Sequence, residues 1–258
     1  MTRTIALTGS ASGIGRALRD RLERTADRVI GVDIAGAEVT ADLSSPDGRQ
    51  TAIDGVLRVC DGRLDGLVAC AGIGPQHEDT ARIASINYFG AVAILAGLRT
   101  ALARGTQPAA VAVASNSTTL TPGVDGPFAA TCLDGDEPSA RTMAAELNGA
   151  AVYAGAKLAL VRWVRRQAIA HEWGGSGIRL NAVAPGPTLT PLLQAGLEHP
   201  TMGAAIRGLP LPLSGGFAGP DTVAAAIAFL LGPEASFCCG SILFVDGGTD
   251  ALVRPNAV

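Results

Sequence analysis

The sequence predicts an α/β protein: a single doubly wound, Rossmann-like domain in which a parallel β-sheet is flanked by helices. Over its 258 residues, short runs of β-branched and aliphatic residues alternate with longer helical stretches rich in Ala, Leu and Arg. This alternation indicates βαβ units and a parallel sheet. The strand runs are continuously apolar, as expected for strands buried on both faces. Because there is no internal repeat and no linker-like shift in composition, residues 1–258 are expected to form one domain.

The predicted elements follow one another along the chain as strand, helix, strand. The strand candidates are Thr4–Thr8, Arg28–Val32, Gly66–Ala69, Ala109–Ala114, Ile178–Val183 and Ile242–Val245. The helix candidates are Gly13–Thr25, Pro46–Cys60, Arg82–Ala103, Ala150–Trp173 and Pro220–Leu231.

Two segments depart from the plain alternation. Residues 119–149 are turn-rich and acidic and end in a predicted short helix, Ser139–Asn148, whereas residues 190–219 are rich in Leu, Pro and Gly. Long insertions at the ends of parallel strands usually carry function or cover a site. We expect an insertion near 119–149 and a lid near 190–219.

Composition narrows the class of partner. Twenty basic and 23 acidic residues give a net charge of −3, and no Lys/Arg block offers nucleic acid or an anionic membrane an electrostatic footprint. No apolar run approaches the roughly 18–20 residues of a membrane span, and no signal h-region is visible. We therefore expect a cytoplasmic protein with no nucleic-acid and no membrane partner. Five cysteines without a CxxC, and three dispersed histidines, predict buried thiols and surface histidines, with no disulfide framework and no metal site.

The segment TGSASGIG, residues 8–15, follows the first strand directly and opens the first helix. Its glycines differ from the GxGxxG spacing, but the physical requirement is shared: residues without Cβ let backbone amides and a helix N-terminus approach a pyrophosphate. A tight strand-to-helix turn is the alternative explanation. The residues of this loop expected to contact a dinucleotide are Gly9, Ser12, Gly13, Ile14 and Gly15.

Asp33, about 20 residues beyond the loop at the end of the second strand, predicts the choice of dinucleotide. A carboxylate there can accept both ribose hydroxyls and would repel a 2′-phosphate, which favours NAD over NADP. Ile34 follows where an Arg could have bound the phosphate, and Ser12 rather than Arg or Lys precedes Gly13. The alternative for Asp33 is a solvated carboxylate at a strand end.

A second acidic position follows in the segment Asp42-Leu43-Ser44. Asp42 could accept a hydrogen bond from the adenine amino group, with Leu43 beside it. Alternatively, Asp42 caps the helix that begins near Pro46.

YAGAK, residues 153–157, places the phenol of Tyr153 and the ammonium of Lys157 four residues apart in a helical pattern. Both side chains therefore project from the same face, about one turn apart. Lys157 is the one lysine of the sequence. The pKa of a free tyrosine is near 10, and an adjacent ammonium together with an oxidised nicotinamide is expected to lower it. Tyr153 could then take a hydroxyl proton in oxidation and return it in reduction.

Two further polar residues are candidates for the same chemistry. Ser115 ends an apolar strand, where its hydroxyl could hold a substrate oxygen beside Tyr153. Asn116 and Ser117 could substitute for it, and a simple turn residue is the alternative. Asn87 lies within a helical run, where it either bonds local backbone or marks a kink that holds a water beside Lys157.

These motifs resemble the classical short-chain dehydrogenases/reductases, in the family's order and over nearly the whole chain. The resemblance rests on TGSASGIG, Asp33, CAGIG (residues 70–74), Asn87, Ser115, YAGAK and LNAVAPG (residues 180–186) followed by Thr188 and Thr190. It implies a catalytic tetrad of Asn87, Ser115, Tyr153 and Lys157. Lys157 would also bind the nicotinamide ribose, and Asn87 would hold a proton-relay water. Further cofactor contacts implied by the resemblance are Ala71, Gly72, Pro185, Gly186, Thr188 and Thr190.

A narrower likeness is to the bacterial NAD-dependent 3α-hydroxysteroid dehydrogenase/carbonyl reductase branch of that family. It is carried by ADLS, CAGIGPQ, INYFGA, TPLLQAGLEHP and VDGGTDALVRP, and by the lengthened segment before Tyr153. Three positions depart from the family pattern: Cys70 stands for the usual Asn, Ala156 rather than Ser precedes Lys157, and Asn116 follows Ser115.

The sequence thus predicts an NAD(H)-dependent oxidoreductase that interconverts a secondary alcohol and a ketone on a small apolar substrate. Reduction of another carbonyl, such as a terpenoid or acyl-chain ketone, and a non-catalytic NAD-binding regulator are the alternatives. The resemblance also implies a homodimer or a homotetramer. The apolar side chains of 190–219 could cover the substrate or could pack on a partner subunit or the domain body; they are Leu192, Leu193, Leu197, Met202, Ile206, Leu209, Leu211, Leu213 and Phe217.

Overall fold

The computed structural model describes residues 2–213 and 216–257, and within them seven parallel strands form one sheet in the order β3-β2-β1-β4-β5-β6-β7. The strands are β1 (Thr4–Thr8), β2 (Arg28–Asp33), β3 (Val39–Thr40), β4 (Gly66–Ala69), β5 (Ala109–Val113), β6 (Arg179–Pro185) and β7 (Ile242–Val245). The order reverses between β1 and β4, and such a switch point opens a crevice at the carboxyl ends of the strands. The predicted fold class, a doubly wound α/β domain, is confirmed.

Helices cover both faces of this sheet. They are α1 (Gly13–Arg24), α2 (Pro46–Val59), α3 (Thr80–Ala84), α4 (Ala91–Leu102), α5 (Ser117–Leu120), α6 (Pro127–Leu133), α7 (Glu137–Ala145), α8 (Gly149–Ala168), α9 (Pro191–Glu198), α10 (Met202–Arg207), α11 (Pro220–Leu231) and α12 (Thr249–Val253). Ile5 and Leu7 of β1 pack with α1 and α11 on one face, while Ala6 packs with the layer formed by α2, α4 and α8 on the other. This is why the strands are continuously apolar.

The differences between predicted and observed elements have local causes. The two-residue strand β3 was not predicted. The predicted helix Ser139–Asn148 is wrong at its C-terminal end, because the Asn148 side chain accepts a hydrogen bond from Ala151 N at 2.9 Å and so caps α8 instead. The predicted helix Ala150–Trp173 is likewise too long: α8 ends at Ala168, and Trp173, 2% exposed, is packed in the core by the turn that follows.

The predicted helix Arg82–Ala103 is part of a continuous helical stretch, Thr80–Leu102, with a π-helical segment, Ser85–Gly90, between α3 and α4. Its 23 residues are long and apolar enough to cross a membrane, against the expectation that no run approaches that length. Of its most apolar window, 67% is buried inside the protein. Such burial is typical of a core helix.

The two unusual segments are both largely helical. Residues 119–149 contain the end of α5, all of α6 and α7, and the start of α8, while 190–219 contains α9 and α10. Positions 214 and 215 of the predicted lid lie outside the described residues.

Candidate active site

A cavity of about 510 Å³ opens at the carboxyl ends of the strands, beside the switch point between β1 and β4. Among the described residues it collects, apart from Asn87, every position that the sequence singled out as catalytic or cofactor-binding. These are Gly9, Ser12, Gly13, Ile14, Gly15, Asp33, Ile34, Asp42, Leu43, Ala71, Gly72, Ser115, Tyr153, Lys157, Pro185, Gly186, Thr188 and Thr190. Residues from distant parts of the chain therefore meet in one crevice.

The glycine loop forms one wall of the cavity. Gly9 has φ +71°, and a Cβ there would lie 2.9 Å from the backbone of Ala71, so the loop and the strand end of β4 approach too closely for a side chain. Gly13, with φ +51°, faces the methyl of Thr190. At the start of α1, Ser12 makes no side-chain cap and the first turn carries no acid. This helix N-terminus is consequently a suitable place for a phosphate.

The Asp33 carboxylate is held against the glycine loop. Its Oδ2 accepts a hydrogen bond from Ala11 N at 2.9 Å, and its Oδ1 accepts one from Ile34 N at 2.7 Å. The Ile34 side chain is 61% exposed at the cavity rim. The rim at this point thus carries a fixed acid and an apolar neighbour.

Asp42 does not cap α2, because Ser45 takes that role by accepting a hydrogen bond from Gly48 N at 3.1 Å. The Asp42 carboxylate instead accepts from Ser44 N at 2.9 Å and from Arg82 Nη2 at 2.8 Å. Burial alone would raise the pKa of Asp42, but these two partners outweigh it and the pKa is lowered. Asp42 therefore lines the cavity as a charged acceptor.

Tyr153 and Lys157 lie on α8, one turn apart, at the opposite end of the cavity. Lys157 Nζ lies 6.0 Å from the centre of the Tyr153 ring and donates a hydrogen bond to Val113 O at 2.8 Å. Lys157 is 4% exposed, and burial lowers its pKa to about 8. The α8 helix thus presents a phenol and an amine to the end of β5.

The pKa of Tyr153 corrects one sequence expectation. Burial raises this pKa, and the neighbouring Ser115 hydroxyl lowers it only in part. The expected lowering by Lys157 is wrong for the chain's own residues, because desolvation of the phenolate outweighs what the protein provides. The phenol is consequently protonated at neutral pH in the protein alone.

Ser115 follows β5 and faces the cavity next to Tyr153. Its Oγ accepts a hydrogen bond from Ser117 N at 3.2 Å. Asn116 also lines the cavity, with its Nδ2 3.4 Å from Asp246 Oδ2. Of the two candidates to substitute for Ser115, only Asn116 reaches the cavity wall.

Asn87 is fully buried in the π-helical segment, behind the cavity wall. Its Oδ1 accepts from Ile73 N and its Nδ2 donates to Ile73 O, each at 2.9 Å. The sequence offered two explanations for Asn87, a bond to backbone and a kink that holds a water. The side chain does bond backbone, but this backbone is 14 residues away along the chain and not local. Asn87 thereby fixes the loop after β4.

The apolar end of the cavity comes partly from the predicted lid. Leu192, Leu193, Met202, Ile206 and Leu209 line it, whereas Leu197, Leu211, Leu213 and Phe217 do not. Gln76 Nε2 donates to Leu192 O at 3.2 Å and so ties α9 to the loop after β4. Gln76 Oε1 is buried and, within the described chain, has no hydrogen-bond partner.

Some cavity residues were not singled out from the sequence. Ile73, Gln76 and His77 belong to the loop after β4, and Ile86 precedes Asn87. The signal that could have found the first three is position: residues that directly follow a parallel strand face the crevice.

Within residues 2–213 and 216–257, the side chains that could bind a metal ion form no cluster. No group of three His, Cys, Asp or Glu lies close enough to hold a metal ion there. Cys60 and Cys132 are buried as expected, but Cys239 is exposed. Cys70 lines the cavity, and burial raises its pKa to about 12, so it is a neutral thiol.

Comparison with known proteins agrees with this geometry. Residues 139–250 match the family model described as Enoyl-(Acyl carrier protein) reductase. The 3-alpha-hydroxysteroid dehydrogenase/carbonyl reductase of Comamonas testosteroni is 44% identical over 98% of this chain and 98% of its own. The cis-4-hydroxycyclohexanecarboxylate dehydrogenase of Sinomonas cyclohexanicum is 34% identical over 97% of each chain.

Solved structures of dehydrogenases and reductases have the same fold as this chain. The crystal structure of the 3-alpha-hydroxysteroid dehydrogenase from Pseudomonas sp. B-0831, complexed with NADH, has a TM-score of 0.95 and 48% identity over 99% of this chain and 100% of its own. Levodione reductase, at 24% identity over 96% of this chain and 98% of its own, has a TM-score of 0.75 and supports the fold.

Proposed function

The chain belongs to the short-chain dehydrogenase/reductase family and is an NAD(H)-dependent oxidoreductase, as predicted, and we propose that its substrate is an apolar, steroid-like molecule. On this substrate it interconverts a secondary alcohol and a ketone. The observation that carries the proposal is one cavity with an acid and a glycine loop at one end and Ser115, Tyr153 and Lys157 at the other. The first end suits a dinucleotide and the second suits proton transfer to a carbonyl oxygen.

The residues at the first end fit the adenosine and pyrophosphate of NAD. The close approach of Gly9 to Ala71, and the uncapped N-terminus of α1, leave room and backbone donors for a pyrophosphate. Asp33 would accept the ribose hydroxyls, and its charge would repel a 2′-phosphate. Asp42 would accept from the adenine amino group. When bound, the nicotinamide supplies the donor or acceptor of hydride.

At the second end, three side chains would act on the substrate oxygen. Tyr153 would give up its phenolic proton to the oxygen in reduction and take it back in oxidation. The Ser115 hydroxyl would donate a hydrogen bond to the same oxygen and so fix its position. Lys157 would bind ribose hydroxyls with its ammonium, whose charge, together with that of the oxidised nicotinamide, would offset the burial that raises the pKa of Tyr153. Asn87 would act through the loop that it fixes and hold the relay water implied by the family.

The remaining cofactor contacts lie after β6. Pro185 and Gly186 would shape the nicotinamide pocket, and Thr188 and Thr190 would contact the carboxamide and pyrophosphate. The Thr190 hydroxyl also caps α9 by accepting from Leu193 N at 3.3 Å. A cofactor contact at Thr190 would therefore reach the helix that covers the substrate end.

The substrate class is inferred from the apolar lid residues and from the named relatives. Leucine, isoleucine and methionine side chains from α9 and α10 give the second end an apolar lining suited to a fused-ring alcohol. The relatives named above act on a hydroxysteroid and on a hydroxycyclohexane carboxylate, as their names state. A smaller cyclic ketone is consequently the competing substrate.

Assembly and location are further parts of this proposal. We propose a cytoplasmic homodimer or homotetramer. The support is that β7 is an edge strand on which Leu243 is 36% exposed, and that Phe229 and Phe237, nearby in sequence, are 44% and 103% exposed. Sedimentation velocity would distinguish monomer, dimer and tetramer.

The decisive experiment follows NADH absorbance at 340 nm with a panel of hydroxysteroids, terpenoid alcohols, acyl-chain ketones and small cyclic ketones. Tyr153→Phe is the control variant, and we expect its kcat to fall by about 10²–10⁴-fold with NAD⁺ binding kept. Activity that survives in this variant would contradict the role of Tyr153. NAD⁺ binding with no turnover on the whole panel would favour a regulator, and a preference for NADPH would contradict the role of Asp33.

A further inference from the structure

Arg49 is a buried arginine outside the cavity lining. It lies on α2, is 7% exposed, and its guanidinium forms a two-pronged ion pair with Glu137 of α7 through Nη1 at 2.6 Å and Nη2 at 2.7 Å. Glu137 belongs to the 119–149 insertion, 88 residues farther along the chain. A buried guanidinium requires such a partner, since an unpaired charge there would be costly.

The other N–H groups of Arg49 hold backbone carbonyls of two functional segments. Nε donates to Leu43 O at 2.8 Å, and Leu43 lines the adenosine end of the cavity. Nη2 donates to Ser85 O at 3.0 Å, and Ser85 is the first residue of the π-helical segment that carries Asn87. One guanidinium therefore fastens the cofactor wall and the π-helical segment to the insertion.

A second contact from α7 reaches the same serine. Arg141, one turn after Glu137, donates from Nη1 to Ser85 Oγ at 2.6 Å. Burial alone would raise the pKa of Glu137, but hydrogen bonds from Arg49 and Ser85 and the charges of both arginines outweigh it, and the pKa is lowered. Glu137 is thus ionised throughout the neutral range and keeps Arg49 in place.

We propose that the insertion is a brace for the active site, in which Glu137 and Arg141 act as positioning residues. Glu137, through Arg49, fixes the position of the cavity wall at Leu43. Both residues fix the start of the π-helical segment at Ser85. The proposal rests on the proposed NAD(H) function. Neither residue lines the cavity that contains Tyr153, so Glu137 acts through the carbonyls that Arg49 holds and Arg141 acts through the Ser85 hydroxyl.

Loss of the Glu137 charge has a defined consequence. Without it, the buried guanidinium has no counter-charge and turns toward water, which releases the carbonyls of Leu43 and Ser85. The adenosine wall and Asn87 would then shift together. A small displacement of a positioning element can lower a rate by up to about 10²-fold.

The test uses Glu137→Gln against the matched variant Asp125→Asn. Asp125 also lies in the insertion and pairs with Arg162 of α8 at 2.6 Å, away from the cofactor wall. Both changes remove one acid and one ion pair. NAD⁺ binding is measured by calorimetric titration and kcat by steady-state kinetics, at a temperature where circular dichroism shows that both variants are folded. We expect about tenfold weaker NAD⁺ binding and a lower kcat for Glu137→Gln, and no change for Asp125→Asn.

A double variant separates positioning from stability. Replacing both Arg49 and Glu137 by Met removes the buried charges, and such replacements are often neutral or stabilising. We expect its Tm to return to the wild-type value while NAD⁺ binding and kcat stay impaired, because no guanidinium ties Leu43 O to Ser85 O. Recovery of binding and kcat together with Tm would overturn the brace.

Arg141→Gln is a further test that leaves both members of the buried Arg49–Glu137 pair in place, and Arg141 itself is exposed. We expect a severalfold lower kcat with unchanged NAD⁺ affinity, because Arg141 reaches Ser85 and not Leu43. Equal NAD⁺ affinity and kcat in Glu137→Gln, Asp125→Asn and wild type would also overturn the brace. Failure of the wild type itself to bind NAD⁺ would overturn the proposed function, and the brace with it.

Discussion

Lys157 Nζ lies 6.0 Å from the centre of the Tyr153 ring and gives a hydrogen bond to Val113 O, so that α8 is fastened to the end of β5 at the reacting end of the cavity. A backbone carbonyl thus holds the lysine. Among the residues that the structure describes, no acid forms an ion pair with it. Its charge is therefore available to the cofactor and the phenol.

We expect Lys157→Arg to lose most of its activity although the charge is kept. A planar guanidinium is broader than an ammonium and cannot occupy the same site, which is 4% exposed and closed by the Val113 carbonyl. Steady-state kinetics with NAD⁺ and a hydroxysteroid should give a kcat lower by about 10²-fold. A surface change of the same kind within α8, Arg166→Lys, is the control. Near-normal kcat in Lys157→Arg would contradict a geometric role for the ammonium.

NAD⁺ affinity is expected to depend on pH because of the same lysine. Burial lowers the pKa of Lys157 to about 8, so the ammonium loses its proton as the pH rises through that value, and the donor set for the ribose weakens. The dissociation constant should therefore rise as the pH increases from 7 to 9. Calorimetric titration would measure it, with Lys157→Met as reference, since methionine carries no group that titrates over this range and the affinity of this variant should stay flat. A wild-type affinity that is flat across this range would contradict the assignment.

The preference for NAD over NADP is expected to depend on Asp33. In Asp33→Ser the acceptor for the ribose hydroxyls and the repulsion of a 2′-phosphate are both lost, so kcat/KM for NAD⁺ should fall by about 10- to 100-fold. Adding Ile34→Arg should let the double variant use NADP⁺, because the exposed position 34 can carry the phosphate-binding cation. Ile34→Arg alone is the control and should keep the preference for NAD⁺. An unchanged cofactor ratio in Asp33→Ser would contradict the role given to this acid.

Local motifs account for what the sequence could predict of this site. The glycine loop, Asp33 and the Tyr153/Lys157 pair each owe their placement to one strand end or one helical turn, so their spacing along the chain was sufficient. The residue that Asn87 holds, Ile73, and the role of Arg49 were beyond such reasoning, because Ile73 and Glu137 come from distant segments brought together by the fold. The same holds for the pKa of Tyr153, which burial decides and which no motif encodes.

The lid is expected to discriminate between large and small substrates. Leu193, 9% exposed, and Met202 both line the apolar end of the cavity. Replacing both with Gln should lower kcat/KM for a hydroxysteroid by about 10- to 200-fold, since apolar contact with a large ring system is lost. The kcat/KM for a small cyclic ketone should change much less. Leu213→Gln is the control, because Leu213 is 72% exposed and does not line the cavity. If the double variant lowers kcat/KM equally for both substrates, or for neither, the α9–α10 segment does not select the substrate and serves to pack the domain or a partner subunit.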